Sequence, residues 1–403
     1  MRIKIKQTLT FDYIEKLYEE LYLNIPSVQV DLEVPLKIND KGFGLLPALF
    51  QFIATWLRIR KGKLVIPIGT ELEDRRDFAF SYFGYYTLLM AWKATPIVDE
   101  KHRDIKLEFR EFTKAMHEQL GFMQKKDEWE VHMPCFDHFS VDRGLSQWVY
   151  PHGATFPDDE GDLDTALYRA LRTIRRKFEA ASTVNYKSEA ADHKVVMQNY
   201  EPLLGIFYEL LRNTHEWART DALDRTTLSP SGRGAILKQH SATVGGLCKA
   251  ANEHKGLVEF FNRGDVTSDT VRHYVELTVY DSGPGYARRF AALEEIEDQS
   301  IDWEVDTIRK CLTKGHTSST GIAREVKSLG LDRVLRLLQE AGGFLRIRTG
   351  RACVYRDLAV DPYRPNAEYN EVVLKDWMTS RKEGYQRMRA VEGAVITIVC
   401  PLN

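Results

Sequence analysis

Glu209-Leu210-Leu211-Arg212-Asn213 lies inside an apolar, helix-like run, and further along the chain Asp281-Ser282-Gly283-Pro284-Gly285 follows the alternating stretch Val275-Glu276-Leu277-Thr278-Val279-Tyr280. In the first stretch a carboxylate and a carboxamide stand four residues apart. On a helix that spacing puts both on one face, where they can address one small ligand. In the second, a carboxylate ends a strand as the chain enters a glycine-rich turn. A rigidly held acceptor beside a turn that admits close backbone approach suits recognition of a flat polar base. The order and spacing of the two stretches predict one ligand shared between them, a nucleotide.

Around these stretches the second half of the chain is well punctuated. A long helix is expected over 199–219, with Leu203, Leu204, Ile206, Phe207, Leu210 and Leu211 as its buried face and Glu209 and Asn213 exposed beside it. A polar loop, 220–233, leads to strands at 234–238 and 275–280 that flank a helical segment near 244–261. A further helix over 330–340 ends at Gly342-Gly343, glycines suited to a C-cap. Phe344-Leu345-Arg346-Ile347-Arg348 alternates as a strand, and after a polar excursion the chain closes on a strand over 393–401.

The first third alternates between strand and helix. Strands are expected at 28–32, 63–68 and 96–98, and helices at 45–60 and 78–93. The rhythm is that of a small α/β unit with helices on a sheet. Residues 99–126 are charged and helical in pattern, 132–151 loop-like with strand fragments, and 162–181 helical, with Arg172, Arg175, Arg176 and Lys177 on a solvated face. The domains expected are therefore 1–125, a sensing or partner-binding α/β unit; 126–194, a connecting segment; and 195–403, a ligand-binding domain.

At 403 residues, with 43% hydrophobic and 28% charged content, the composition is that of a globular protein of more than one domain. A net charge of -2 gives no indication of nucleic acid or an anionic membrane as partner. Five scattered cysteines without a Cys-x-x-Cys pattern suit free thiols in a reducing, cytoplasmic setting. The uncharged runs 43–57 and 78–92 fall short of the ~18 residues of a membrane span and read as buried helices. His132, Cys135 and His138 have spacing compatible with Zn²⁺, but no further ligand pair accompanies them, and Met133, Pro134 and Phe136 among them read as buried loop filler.

Residues 195–403 resemble the GHKL superfamily, whose members share the Bergerat ATP-binding fold. Glu209-x-x-x-Asn213 looks like its N-box, Asp281-x-Gly283-x-Gly285 like its first glycine box, and Ser328-Leu329-Gly330-Leu331 like the end of its second. The first unit weakly resembles STAS-type domains, on pattern alone. The resemblance implies an α/β fold of the α+β two-layer sandwich kind. It implies Mg²⁺ and ATP as ligands, with Asn213 coordinating the metal and Glu209 acting as general base on water. Asp281 would accept from the adenine amine, and Gly283 and Gly285 would let the backbone pass close to base and ribose. Lys314, Thr317, Ser318 and Ser319, in a lid over 314–327, and Gly330 would meet the phosphates. Three positions depart from the pattern. Val326 and Ser328 stand where glycines are common, Ala394 where several ATPases carry threonine, and Glu216 where histidine kinases carry a basic residue. An ATPase signalling through lid closure to a protein partner is the leading expectation, with ATP-dependent homodimerisation implied by analogy. An anti-sigma-type serine kinase and a scaffold that binds ATP without consuming it are the alternatives.

Overall fold

A computed structural model describes residues 1–23, 29–69, 71–119, 130–138, 190–313 and 330–402. Its first part runs β1 (Arg2–Lys4), α1 (Phe11–Tyr22), β2 (Asp31–Glu33), α2 (Leu45–Ile59), β3 (Leu64–Val65), α3 (Leu72–Ala79), α4 (Tyr82–Ala91), β4 (Ile97–Val98) and α5 (Arg110–Gln119). The four strands form a parallel sheet in the order 1-2-3-4. The helix expected over 78–93 is two helices. Ser81 breaks it by accepting the Gly84 N–H at 2.9 Å, so the second helix starts on its own side-chain cap.

The second part holds β5 (Glu130–Cys135), α6 (Ala190–Trp217), β6 (Arg233–Thr243), α7 (Val244–Ala250), α8 (Lys255–Phe261), β7 (Val271–Asp281), α9 (Tyr286–Ala291), α10 (Ile301–Cys311), α11 (Gly330–Glu340), β8 (Phe344–Gly350), β9 (Ala352–Asp357), β10 (Lys375–Asp376) and β11 (Val391–Pro401). Its strands make a seven-stranded antiparallel sheet in the order 10-9-8-11-7-6-5. The protein is thus of mixed α/β class, with one parallel and one antiparallel sheet. The edge strand β5 comes from the stretch expected to connect the domains, and the polar excursion contains β9 and β10. The helix expected over 162–181 lies outside the described residues.

Alternation along β7 and β11 sorts the core, because successive strand side chains face opposite ways. Val275, Leu277 and Val279 of β7 and Ile396 and Ile398 of β11 pack with Phe207 and Leu210 of α6, Ile308 of α10 and Leu335 and Leu338 of α11. Tyr280 of β7 and Val391 and Val395 of β11 face the other way and join the core of the first part, with Phe50 and Trp56 of α2. The large sheet is therefore covered on both faces, and the expected two-layer sandwich gains a third layer from α2, α7 and α8.

Helix α2 is fastened to the sheet at both ends. Its N-cap, Gly44, has φ 67° and no side-chain cap of its own; its N–H donates instead to Glu276 Oε1 of β7 at 2.7 Å. A carboxylate there also complements the positive end of the helix dipole. At the other end Arg58 reaches Ser282, just past β7. Gly44 to Arg58 spans about 21 Å of helix, and Glu276 to Ser282 about 20 Å of strand. The helix therefore runs alongside β7, and its length matches the span between its two anchors. Among the described residues no helix is long and apolar enough to cross a membrane.

Candidate functional site

The two quoted stretches meet. Asp281 follows Val279 on the α6-facing side of the sheet, and on α6 the positions 210, 213, 214 and 217 share the helix face turned toward it. Leu210, Asn213, Thr214, Trp217, Val279, Asp281, Gly285, Ala394 and Ile396 together line one cavity of about 860 Å³, counted out to its mouth. The walls are mostly apolar, with Asn213, Thr214, Asp281 and Arg289 as polar points.

Asp281 anchors this arrangement. Its Oδ1 accepts the Gly283 N–H at 2.8 Å, and the Ala394 N–H also bonds its carboxylate. Burial pushes its carboxyl up to about 6; those two bonds, Arg58 and Arg233 pull the other way and only partly offset the burial. The carboxylate is thus held in place on the cavity wall.

The glycine turn owes its shape to close packing. A Cβ on Gly283 would stand 2.6 Å from the Ala218 Cα at the end of α6, so this glycine locks the turn against the helix that carries Asn213. Gly285 has φ 77°, and a Cβ there would lie 2.7 Å from Thr349 Oγ1. Thr349 Oγ1 in turn accepts the Tyr286 N–H at 3.2 Å and donates to Gly393 O at 3.0 Å. Thr349, on the neighbouring strand, thus braces the turn.

Glu209 is not exposed as expected: it is 8% exposed. Helix α11 crosses α6 closely at Gly205, where a Cβ would meet Leu337 Cδ1 at 2.6 Å. That crossing brings Arg333 Nη1 to 2.8 Å from Glu209 Oε1. Burial raises the Glu209 carboxyl above its ordinary value, and Arg333 and Arg212 oppose the rise. Gly330 opens α11 beside Glu209 and Asn213 of α6. A Cβ on it would lie 3.1 Å from Glu209 Oε2 and 3.8 Å from Asn213 Oδ1. Glu209, Asn213 and Gly330 are therefore one cluster at the edge of the cavity. Lys314, Thr317, Ser318 and Ser319 lie outside the described residues.

Several residues at the site carry no motif. Arg58 of α2 donates to Glu392 Oε2 at 2.7 Å, Pro230 O at 2.9 Å, Ser282 Oγ at 3.3 Å and Gly283 O at 3.5 Å. Glu392 also pairs with Arg288 at 3.0 Å. One side chain of the first part thus braces the back of the glycine turn. At the mouth, Arg289 lies over the Trp217 ring at 5.4 Å and donates to Asp221 O and Asp224 Oδ1. Cys311 lines the cavity, but burial pushes its thiol up to about 12, so it is no nucleophile at neutral pH.

The possible zinc triplet does not converge. His132 on β5 bonds the Tyr280 hydroxyl at 2.6 Å, while His138 is taken by Ser231 and the Leu89 carbonyl. Among the described residues no group of three or more His, Cys, Asp and Glu side chains gathers. No family model, no curated protein and no solved structure matches this chain.

Proposed function

We propose that this cavity binds ATP together with Mg²⁺, in the manner of the GHKL superfamily, and that the protein hydrolyses it. The observation that carries the reading is the meeting of Asn213 and Asp281, distant in sequence, on the walls of one cavity. An under-solvated carboxylate on its wall suits the adenine amine, whereas guanine presents a carbonyl at the same place. Tyr286 and Ile396 supply apolar wall for a base.

The residues present also fit the metal. The Asn213 carboxamide has no hydrogen-bond partner among the described residues and stands beside Gly330 at the start of α11, where backbone N–H groups favour anions. A neutral amide oxygen suits a Mg²⁺ that keeps most of its waters and shares the phosphates. When bound, the ion would offset charge on the phosphates; Asn213 would orient it. Glu209, one turn earlier and buried, would take a proton from water.

Binding without turnover is the second reading, and the Glu209–Arg333 ion pair favours it, because a carboxylate held by a guanidinium is a weakened base. Glu209→Ala separates the two. Under the ATPase reading this variant binds Mg·ATP and releases no phosphate, while wild type turns over. Hydrolysis that persists in Glu209→Ala removes Glu209 from the base role. Absence of turnover in the wild type, with intact binding, leaves the scaffold. Labelled terminal phosphate appearing on protein rather than in water identifies the kinase alternative.

A further inference from the structure

We propose that Arg333 is a phosphate-operated latch on Glu209. Without nucleotide it holds the carboxylate in an ion pair; the terminal phosphate of ATP draws the guanidinium away and releases Glu209 to act on water. The proposal rests on the ATP reading of the cavity and adds its regulation.

The pair is asymmetric. Glu209 is buried on α6, whereas the Arg333 side chain is 48% exposed, so the arginine is the partner that can change contacts without crossing a packed core. Arg333 sits one turn into α11, three residues after Gly330. Helical side chains lean toward the N-terminus, so its guanidinium hangs over the end of α11 where Glu209 and Asn213 cluster and where phosphates would lie. A terminal phosphate carries more charge than a carboxylate and accepts a guanidinium in a bidentate fork, so exchange of partner is favourable. Arg212, the other cation acting on Glu209, is itself tied to Glu216 at 2.9 Å and does not replace Arg333.

In the released state a water O–H gives its proton to Glu209, and the water oxygen bonds to the terminal phosphorus. The bond from phosphorus to the bridging oxygen breaks, its electron pair staying with ADP. Because ADP lacks the terminal phosphate, the latch closes again after release of inorganic phosphate. The arginine thereby distinguishes the two nucleotides and prevents idle base chemistry.

The test is the affinity of the full chain for Mg·ADP and for a Mg-bound non-hydrolysable ATP analogue, in wild type, Arg333→Met, Glu209→Gln and the double variant. Arg333→Met is expected to weaken the analogue about 10- to 100-fold and ADP less than about 3-fold. Glu209→Gln is expected to tighten the analogue about 3- to 10-fold by freeing the arginine, and to give no gain once Met occupies position 333. Arg333→Lys, which keeps charge but loses the fork, should fall between. Equal loss for both nucleotides in Arg333→Met, or independent effects of the two substitutions, overturns the latch alone. Failure of the wild type to bind either nucleotide overturns the ATP reading and the latch with it.

Discussion

Replacing Asp281 by asparagine is expected to stabilise the empty protein while weakening ATP. The folded-state carboxyl stands at about 6, against an ordinary value of 3.8. About two units at 1.36 kcal/mol each make the ionised group cost about 3 kcal/mol of folding free energy above pH 6. The sign follows from the raised value. Between pH 6 and 3.8 the folded protein holds a proton that the unfolded chain has lost, so this penalty fades as pH falls. Asparagine removes the charge but has a single acceptor oxygen for the N–H groups of Gly283 and Ala394, returning about 1 kcal/mol. Urea unfolding should therefore show Asp281→Asn about 2 kcal/mol more stable at pH 8, with the gain shrinking toward pH 4. With its oxygen turned to the backbone, the amide presents N–H₂ to the cavity and opposes the adenine amine. Loss of a hydrogen bond to a charged acceptor, about 1.5–3 kcal/mol, predicts ATP binding roughly 10- to 100-fold weaker by calorimetry, with GTP less affected. A variant that is destabilised at pH 8, or that binds ATP as wild type does, refutes the reasoning.

Other outcomes follow from the same geometry. Arg58→Met leaves Ser282, Pro230 and Gly283 without their shared donor and should destabilise the fold by about 3 kcal/mol; in addition, the pH below which ATP binding fails should rise, since Asp281 loses a nearby cation. A merely structural arginine would leave that pH unmoved. Gly285→Ala forces a φ of 77° on a residue with a Cβ and drives it into Thr349, so thermal melting should show a loss of at least about 1–3 kcal/mol. Burial lowers His132 to about 3. The imidazole is therefore neutral in the fold, and its contribution to stability is present above pH 6.5 and drains away as pH falls toward 3. Phenylalanine at that position should flatten the acid limb of a stability profile across that window, and an unchanged limb would remove His132 as its source.

Much of the site was readable because its signals are local. The α6 spacing and the strand-to-glycine transition at Asp281 each lie in one segment. The limits of α2 came from an uninterrupted apolar run, correct at its start and one residue long at its end. Other features were hidden for physical reasons. Strand β5 contains Pro134, which removes a ladder donor and reads as loop; an edge position tolerates it. Strand β9 is apolar over 352–355 but sits inside a segment that is polar overall, and its Arg356 is buried with its N–H groups on the carbonyls of Asp361 and Pro362. Glu209 looked exposed beside the apolar stripe of its own helix; its burial comes from α11, a partner that no local pattern announces. Arg58 and Arg333 belong to no motif, and only the tertiary packing of α2 and α11 gives them partners at the site. The sharing of one core between the two parts was equally invisible, since α2 gives no sign of which sheet it will cover.

The central claim is that Asn213 and Asp281 form one adenine-nucleotide pocket. Titration of the full chain with Mg·ATP and Mg·GTP in a calorimeter tests it most directly. Saturable binding of one ATP per chain is expected, at least about tenfold tighter than GTP. Failure to bind Mg·ATP, or equal affinity for the two nucleotides, would contradict it.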